Sequence, residues 1–420
     1  MKKKIWIWNH YATDTFRNQG GRHYWFAENL NKEGYKAAIF CASTVHNSNE
    51  SIDTKGQRFI TDQVNGIPYV FVRTPEYSGN GKKRVINMYS FYKNLFYVAK
   101  EYVKVHGRPD VILASSVHPF TLVAGIKIAK KMGIPCICEV RDLWPESIVE
   151  FSNLKRDSLV AKMLYAGERW IYKKADRLIF TMEGGKDYII DKGWDNNNGG
   201  PIDIGKVRHI NNGIDLNAFD LNIGTYMLDD EDLNNEKTFK VIYAGSIRKA
   251  NNIELIINAA KYIKEKSNCN IKFLIYGDGN ERANLEKKCK KELITNVVFK
   301  GKVEKKYIPY IVSKANLNIL NYSYHNIWKY GGSQNKNFEY LASGRPILST
   351  IKMGYDIISK YGAGISLSEQ SDKSIGDAII SIANMNKEEY LDMSNRARKA
   401  AQDYDFKVLT KKLIDIVEEF

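Results

Sequence analysis

Short apolar runs rich in Val, Ile, Phe and Tyr alternate along the chain with longer stretches whose apolar residues recur every three or four positions. The runs predict strands at 4–8, 36–42, 67–73, 111–115, 134–139, 177–181 and 206–210, and again at 239–244, 271–276, 296–299, 317–320, 347–349 and 364–366. The periodic stretches between them, such as 21–33, 87–105, 120–132 and 159–174, predict helices. This alternation is the mark of parallel βαβ units, so an α/β fold is expected.

The pattern falls into two series. Residues 216–237 carry Asp220, Asp229, Asp230, Glu231, Asp232 and Glu236 without an apolar period, which reads as a solvated linker between domains at 1–215 and 216–402. Residues 403–420 place Leu409, Leu413, Ile416, Val417 and Phe420 near helical spacing and predict a last amphipathic helix.

Composition narrows the class. The 420 residues are 44% hydrophobic and 26% charged, an ordinary globular balance. Lys and Arg number 63 against 48 acids, a formal charge of +15, which points to an anionic partner. Five scattered cysteines form neither a CxxC pair nor a Cys/His cluster, so a reducing cytoplasm is expected rather than a disulfide framework. No apolar run approaches the roughly 18–20 residues of a membrane span. The start, Lys2-Lys3-Lys4 before Ile5-Trp6-Ile7-Trp8, is too short for a signal peptide.

In doubly wound sheets ligands collect beyond the carboxyl ends of the strands, and candidate chemistry lies there. Gly20-Gly21 precedes a helix whose first N–H groups suit an anion, or else marks only a tight turn. Ser115-Ser116-Val117-His118-Pro119 ends a strand with an imidazole, either a ligand donor or a satisfied structural His. Residues 139–146 (EVRDLWPE) crowd Glu139, Arg141, Asp142 and Glu146 past another strand, as a site or an ion-paired loop. Gly245 would admit a ligand, with Ser246, Arg248 and Lys249 beside it to meet a phosphate or simply water. Gly277-Asp278-Gly279 is half of a dinucleotide fingerprint. Gly331-Gly332 leads to Ser333, read as the N-cap of a helix running to about Ala342 with Gly344 as its stop. Gln334 and Asn335 open that helix, and Glu339 lies nearly two turns in, set for a sugar diol or for plain solvation.

In order, these motifs resemble the GT-B glycosyltransferases of the large retaining GT4 family that includes bacterial capsule, exopolysaccharide and O-antigen enzymes, and within it the N-acetyl-fucosaminyl transferases. The carriers are Gly20-Gly21, SVHP at 116–119, EVRDLWPE at 139–146, NGID at 212–215, YAG at 243–245, GDG at 277–279 and NKNFEYLASGRP at 335–346. The resemblance implies two Rossmann-like domains facing a cleft, the last helix crossing back to the first domain, and transfer of an N-acetylhexosamine or related sugar from a UDP-sugar. Glu339 would hold the ribose and the 333–335 backbone the distal phosphate. Gly245, Arg248 and Lys249 would flank the diphosphate, with Lys249 the preferred ligand. His118 would meet the transferred sugar, Gly20-Gly21 would admit donor phosphate or acceptor, and 139–146 would line the acceptor side. The family's first glutamate, eight before Glu339, is Gly331 here, so one contact to the sugar is lost or passes to backbone. Departure of the diphosphate would need cations and N–H groups and no metal or other cofactor, in keeping with the lack of a DxD triplet.

Split at residue 215, the charge is +10 in the first part and +5 in the second. The excess is densest at Lys82, Lys83, Arg84, Lys93, Lys100, Lys104 and Arg108, interleaved with Tyr89, Phe91, Tyr92, Leu95, Phe96 and Tyr97. Such a helix suits an anionic leaflet, or covers a sheet with a solvated basic edge. A peripheral membrane enzyme acting on a lipid-diphosphate-linked saccharide is therefore expected. A nucleotide-sugar epimerase of similar fold is the alternative. Nucleic acid is not expected as a partner, because no recognition motif for it occurs.

Overall fold

The computed structural model describes every residue except Met1, Asn47, Asn49, Asn80 and Asn153. The chain forms two compact α/β units, Met1–Asn211 with Phe406–Phe420, and Asn212–Asp405. The first division thus falls four residues before the expected end of the first domain at 215, and residues 403–405 stay with the second unit.

The first unit holds β1 (Lys4–Trp8), β2 (Lys36–Ala42), β3 (Phe59–Val64), β4 (Ile67–Val72), β5 (Val111–Ser115), β6 (Cys136–Val140), β7 (Arg177–Phe180) and β8 (Val207–His209). They form one sheet in the order β3-β4-β2-β1-β5-β6-β7-β8, parallel except for β3 against β4. That hairpin was not expected, because β3 (FITDQV) is polar; the Asn65-Gly66 turn, with both residues at positive φ, makes it. Ile5 and Ile7 face one core, which takes the apolar stripe Phe406, Leu409, Leu413, Ile416 and Val417 of the helix Phe406–Glu418. Trp6 and Trp8 face the other side, with Trp6 against Phe40 and Tyr102.

The helix Lys82–His106 is longer than the expected 87–105. Asn87, Met88, Phe91, Leu95, Val98 and Tyr102 recur at helical spacing and are buried, so Phe91 and Leu95 belong to the core and not to a membrane face. Val85, Ile86, Tyr89 and Tyr97 are exposed beside its cations. Among the described residues no helix is long and apolar enough to cross a membrane.

The second unit holds β9 (Phe239–Ala244), β10 (Ile271–Tyr276), β11 (Val297–Gly301), β12 (Leu317–Leu320), β13 (Ile347–Ser349) and β14 (Gly364–Ser366), all parallel in the order β11-β10-β9-β12-β13-β14. The expected linker is instead built structure: helices Leu216–Thr225 and Glu231–Asn234 lie within it. Three of its six acids are held by the unit's own cations, Asp230 by Lys300 at 2.7 Å, Asp232 by Lys272 at 2.6 Å and Asp220 by Arg398 at 2.6 Å, while Asp229, Glu231 and Glu236 are exposed. Strand order reverses between β1 and β5 in one sheet and between β9 and β12 in the other. At such switch points the loops leave on opposite faces and open a crevice.

Candidate functional site

In the second unit, the chain leaving β9 turns through Gly245 and Ser246 and is pinned from below. Asn251 Nδ2 donates to the Ser246 carbonyl at 2.6 Å, and Asn321 Nδ2 donates to the carbonyls of Asn251 and Asn252 at 2.7 and 2.6 Å. A Cβ on Gly277 would lie 1.8 Å from the Gly245 carbonyl, and one on Gly279 2.1 Å from that of Ile247. The GDG glycines, Gly277 among them, therefore let two loops pack together. Gly245 itself is covered: a Cβ there would lie 2.2 Å from both Cε and Nζ of Lys336.

Lys336 comes from the helix Asn335–Ala342. Its ammonium donates to Tyr243 Oη at 2.7 Å and stands 4.3 Å from the centre of that ring, while Tyr243 Oη donates to the Ser246 carbonyl at 2.9 Å. No carboxylate pairs with it among the described residues, and burial lowers its pKa to about 8, with Glu339 pulling the other way. Glu339, three residues on and hence on the same face, is half-buried; burial raises its pKa against the pull of Lys305 and Lys336. A desolvated cation and a desolvated carboxylate thus share one helix face at the switch point. The expected cations do not: Arg248 and Lys249 are exposed, Lys249 in a single 3₁₀ turn.

Ser333 is not the N-cap. Gln334 occupies that position, and Ser333 Oγ instead accepts from Asn212 N–H at 2.8 Å, while Asn335 Oδ1 accepts from Asn212 Nδ2. The NGID turn is therefore tied to the 333–335 segment. Gln334 Oε1 is buried without a partner among the described residues. Gly344 takes positive φ after Ser343, ending the helix as expected.

In the first unit, His10 follows β1 and His118 follows β5, so the switch point brings them together. His10 Nδ1 lies 2.5 Å from His118 Nε2, and both imidazoles are buried. Burial, then Arg84, lowers the His118 pKa to about 3; burial and His118 lower that of His10. Tyr11 stacks on His46 at 3.9 Å and accepts from Arg84 at 3.0 Å. Gly21, at φ 102°, precedes the helix Arg22–Lys32, and Thr15 Cγ2 would sit 3.1 Å from a Cβ there; Gly20 is half-buried beside it.

Of the EVRDLWPE acids, two are internal. Glu139 is fully buried: Arg22 Nε and Nη2 donate to it at 2.8 and 2.7 Å, Ser115 Oγ at 2.7 Å, and His23 Nε2 lies at 2.9 Å. Burial alone would raise its pKa, but Arg22 and His23 hold it well below the usual carboxylate range. Glu146 is buried against Lys192 at 2.6 Å, Tyr165 at 2.7 Å and Arg156. Both carboxylates are internal and paired, as a buried charge must be. Arg141 and Asp142 remain nearer the surface, Arg141 N–H donating to Ser116 Oγ at 3.0 Å.

Lys336, Tyr243 and His10 were not among the expected site residues. Lys336 stood inside the quoted motif, and its three-residue spacing from Glu339 was the available signal.

Two family models match the chain. Glycosyltransferase Family 4 covers residues 24–218, and Glycosyl transferases group 1 covers 228–400. The chain is a GT4-type glycosyltransferase. No curated protein matches it. Solved structures share its GT-B fold across the whole length: sucrose-phosphate synthase from Thermosynechococcus elongatus (TM-score 0.73, 14% identity, 100% of this chain and 99% of the other) and Anabaena HepE in complex with UDP and glucose (0.67, 13%, 100% of both). WaaG, a glycosyltransferase involved in lipopolysaccharide biosynthesis, matches at 0.63 with 14% identity, over 98% of this chain and 99% of WaaG.

Proposed function

We propose that this glycosyltransferase moves a sugar, with retention of configuration, from a UDP-sugar to a lipid-diphosphate-linked acceptor in surface polysaccharide synthesis. The observation that carries the donor half is the Lys336–Glu339 pair. A desolvated ammonium with a single oxygen partner suits a diphosphate, and a carboxylate one turn along suits the ribose diol. HepE was solved with UDP and UDP-glucose, which supports the choice of nucleotide. The acceptor hydroxyl would attack the anomeric carbon on the face the diphosphate leaves; the new C–O bond forms as the old one breaks, and the departing phosphate oxygen takes the proton. Lys336 and backbone N–H groups would carry the developing charge without a metal.

The lipid half rests on the Lys82–His106 helix, where Val85, Ile86, Tyr89 and Tyr97 are exposed next to Lys82, Lys83, Lys93 and Lys100. That face suits an anionic leaflet at the cytoplasmic side of the membrane. WaaG's part in lipopolysaccharide synthesis is consistent with such an acceptor.

A thermal-shift panel of nucleoside diphosphates and nucleotide-sugars tests the donor half. At 100 times its dissociation constant a ligand adds about 2.7 kcal/mol, and UDP is expected to give the largest shift. Stabilisation by none of them sinks the reading. Flotation with anionic liposomes tests the lipid half, and binding unaffected by salt, or absent, removes it.

A further inference from the structure

The first unit contains a cavity of about 370 Å³ that the donor chemistry does not use, a size within the range of small-molecule sites. It lies among the helices Pro119–Met132 and Leu159–Lys174 and residues 140–145. Phe120, Val123, Trp144, Met163, Trp170 and Ile171 wall it. Its buried acid is masked: Glu168 accepts from Tyr172 and Tyr188 hydroxyls at 2.7 and 2.8 Å, and burial raises its pKa to about 8. Two more charged side chains line it, the exposed Asp142 and Lys127, one of each sign; the rest of the wall is apolar and favours hydrocarbon.

We infer that this cavity takes the first part of the hydrocarbon tail of the lipid-diphosphate acceptor, an inference that rests on the transferase reading above. Three observations choose that occupant. First, the cavity opens beside exposed apolar side chains of one helix, with Leu159 at 75% and Met163 at 66% exposure, and Phe120 carries the apolar surface on to Tyr92 and Tyr89 at ring distances of 6.0 and 6.3 Å. Second, a cation lines it: the exposed Lys127, whose Nζ donates to Tyr92 Oη at 3.1 Å, with the exposed Lys130 three residues further along the same helix. Apolar walls with a basic margin complement a tail bearing an anionic head. Third, Ser116 and Pro119 line the cavity and bracket His118 in sequence, so a tail seated there leaves its head group next to the proposed sugar site.

Gly167 keeps the space open. It sits inside the helix Leu159–Lys174, lines the cavity, and a Cβ on it would meet nothing within 4 Å. Helix geometry does not require glycine there, and the residue lowers helix propensity.

Farnesyl phosphate, titrated below its micelle concentration into the full chain and read by tryptophan fluorescence, tests the inference. Saturable binding is expected, weakened at least tenfold in Gly167→Leu, which fills the space, and in Met163→Asp, which charges its mouth. Both variants should keep the wild-type UDP thermal shift. Equal affinity in wild type and Gly167→Leu, no binding at all, or full displacement by inorganic phosphate overturns it. So does a dimer that Gly167→Leu dissociates, since the occupant would then be a second copy. Farnesyl phosphate binding lost in Gly167→Leu, in a chain that no nucleotide stabilises, would keep the cavity and discard the transferase reading instead.

Discussion

Lys336 places its ammonium 2.7 Å from the Tyr243 hydroxyl, in the space that a side chain on residue 245 would need. Gly245 therefore leaves room for a cation of the same unit, and that cation is not on the loop that follows β9. Lys336→Met is expected to weaken UDP binding by about 10–100-fold, the range of about 1.5–3 kcal/mol for a hydrogen bond to a charged group. Lys249→Ala should change it less than threefold. Calorimetric titration of both variants decides between the two lysines, and the reverse order would return the role to Lys249.

The same lysine sets a pH dependence. Its pKa stands at about 8 without ligand, and a bound diphosphate favours the charged form, so binding takes up a proton wherever the free site has lost it. UDP affinity should be flat below pH 8 and fall toward tenfold per pH unit above it. Lys336→Met should abolish that slope. An unchanged slope in the variant would assign it to another group.

Glu339 is expected to act on the ribose alone. Glu339→Ala should cost about tenfold in UDP affinity, roughly one charge-assisted hydrogen bond, but nothing for the 2′,3′-dideoxy analogue. An equal loss for both nucleotides would mean that the carboxylate merely positions Lys336.

The βα order was legible because parallel strands buried on both faces read as continuous apolar runs: β1, β2, β5, β9, β10 and β12 fall where the pattern puts them. β3 was hidden by its polar composition, although Asn65-Gly66 is a strong turn signal. Segment 216–237 was misread for a related reason. Its six acids all look solvated in sequence, while Lys272, Lys300 and Arg398, which hold three of them, lie 40 to 178 residues away. The site divided in the same way. Glycines and Glu339 could be placed by order along strands, but a buried acid and a lining acid look alike in EVRDLWPE, and only the position of Arg22 separates Glu139 from Asp142.

That burial makes Glu139 a matter of stability. Glu139→Gln leaves Arg22 buried without its counter-charge and should cost about 3–5 kcal/mol in chemical denaturation, with no specific change in acceptor KM. Because the folded pKa is depressed, the wild-type contribution is complete above the unfolded value near 4.3 and is lost as pH falls below it. A stable variant with altered KM would restore Glu139 to the acceptor side.

The His10–His118 contact fixes which nitrogen meets the substrate. His118 Nε2 is taken up by His10 Nδ1 at 2.5 Å, while His118 Nδ1 is buried without a partner among the described residues and is the nitrogen left for a sugar hydroxyl. Asn87 donates through Nδ2 to Thr44 Oγ1 and the Pro75 carbonyl, and its Oδ1, like His10 Nε2, is buried without a hydrogen bond among the described residues, so Asn87 does not set the tautomer. With a pKa of about 3, His118 stays neutral at working pH and supplies no acid limb to the rate profile above pH 5. Nitrogen NMR reads the His118 tautomer directly: a proton on Nε2 makes Nδ1 an acceptor for the hydroxyl, and a proton on Nδ1 makes it the donor. His118→Ala is expected to lower turnover of the active UDP-sugar by about 10–100-fold, the cost of one well-placed hydrogen bond in the transition state. Unchanged turnover in His118→Ala would remove the imidazole from the sugar site.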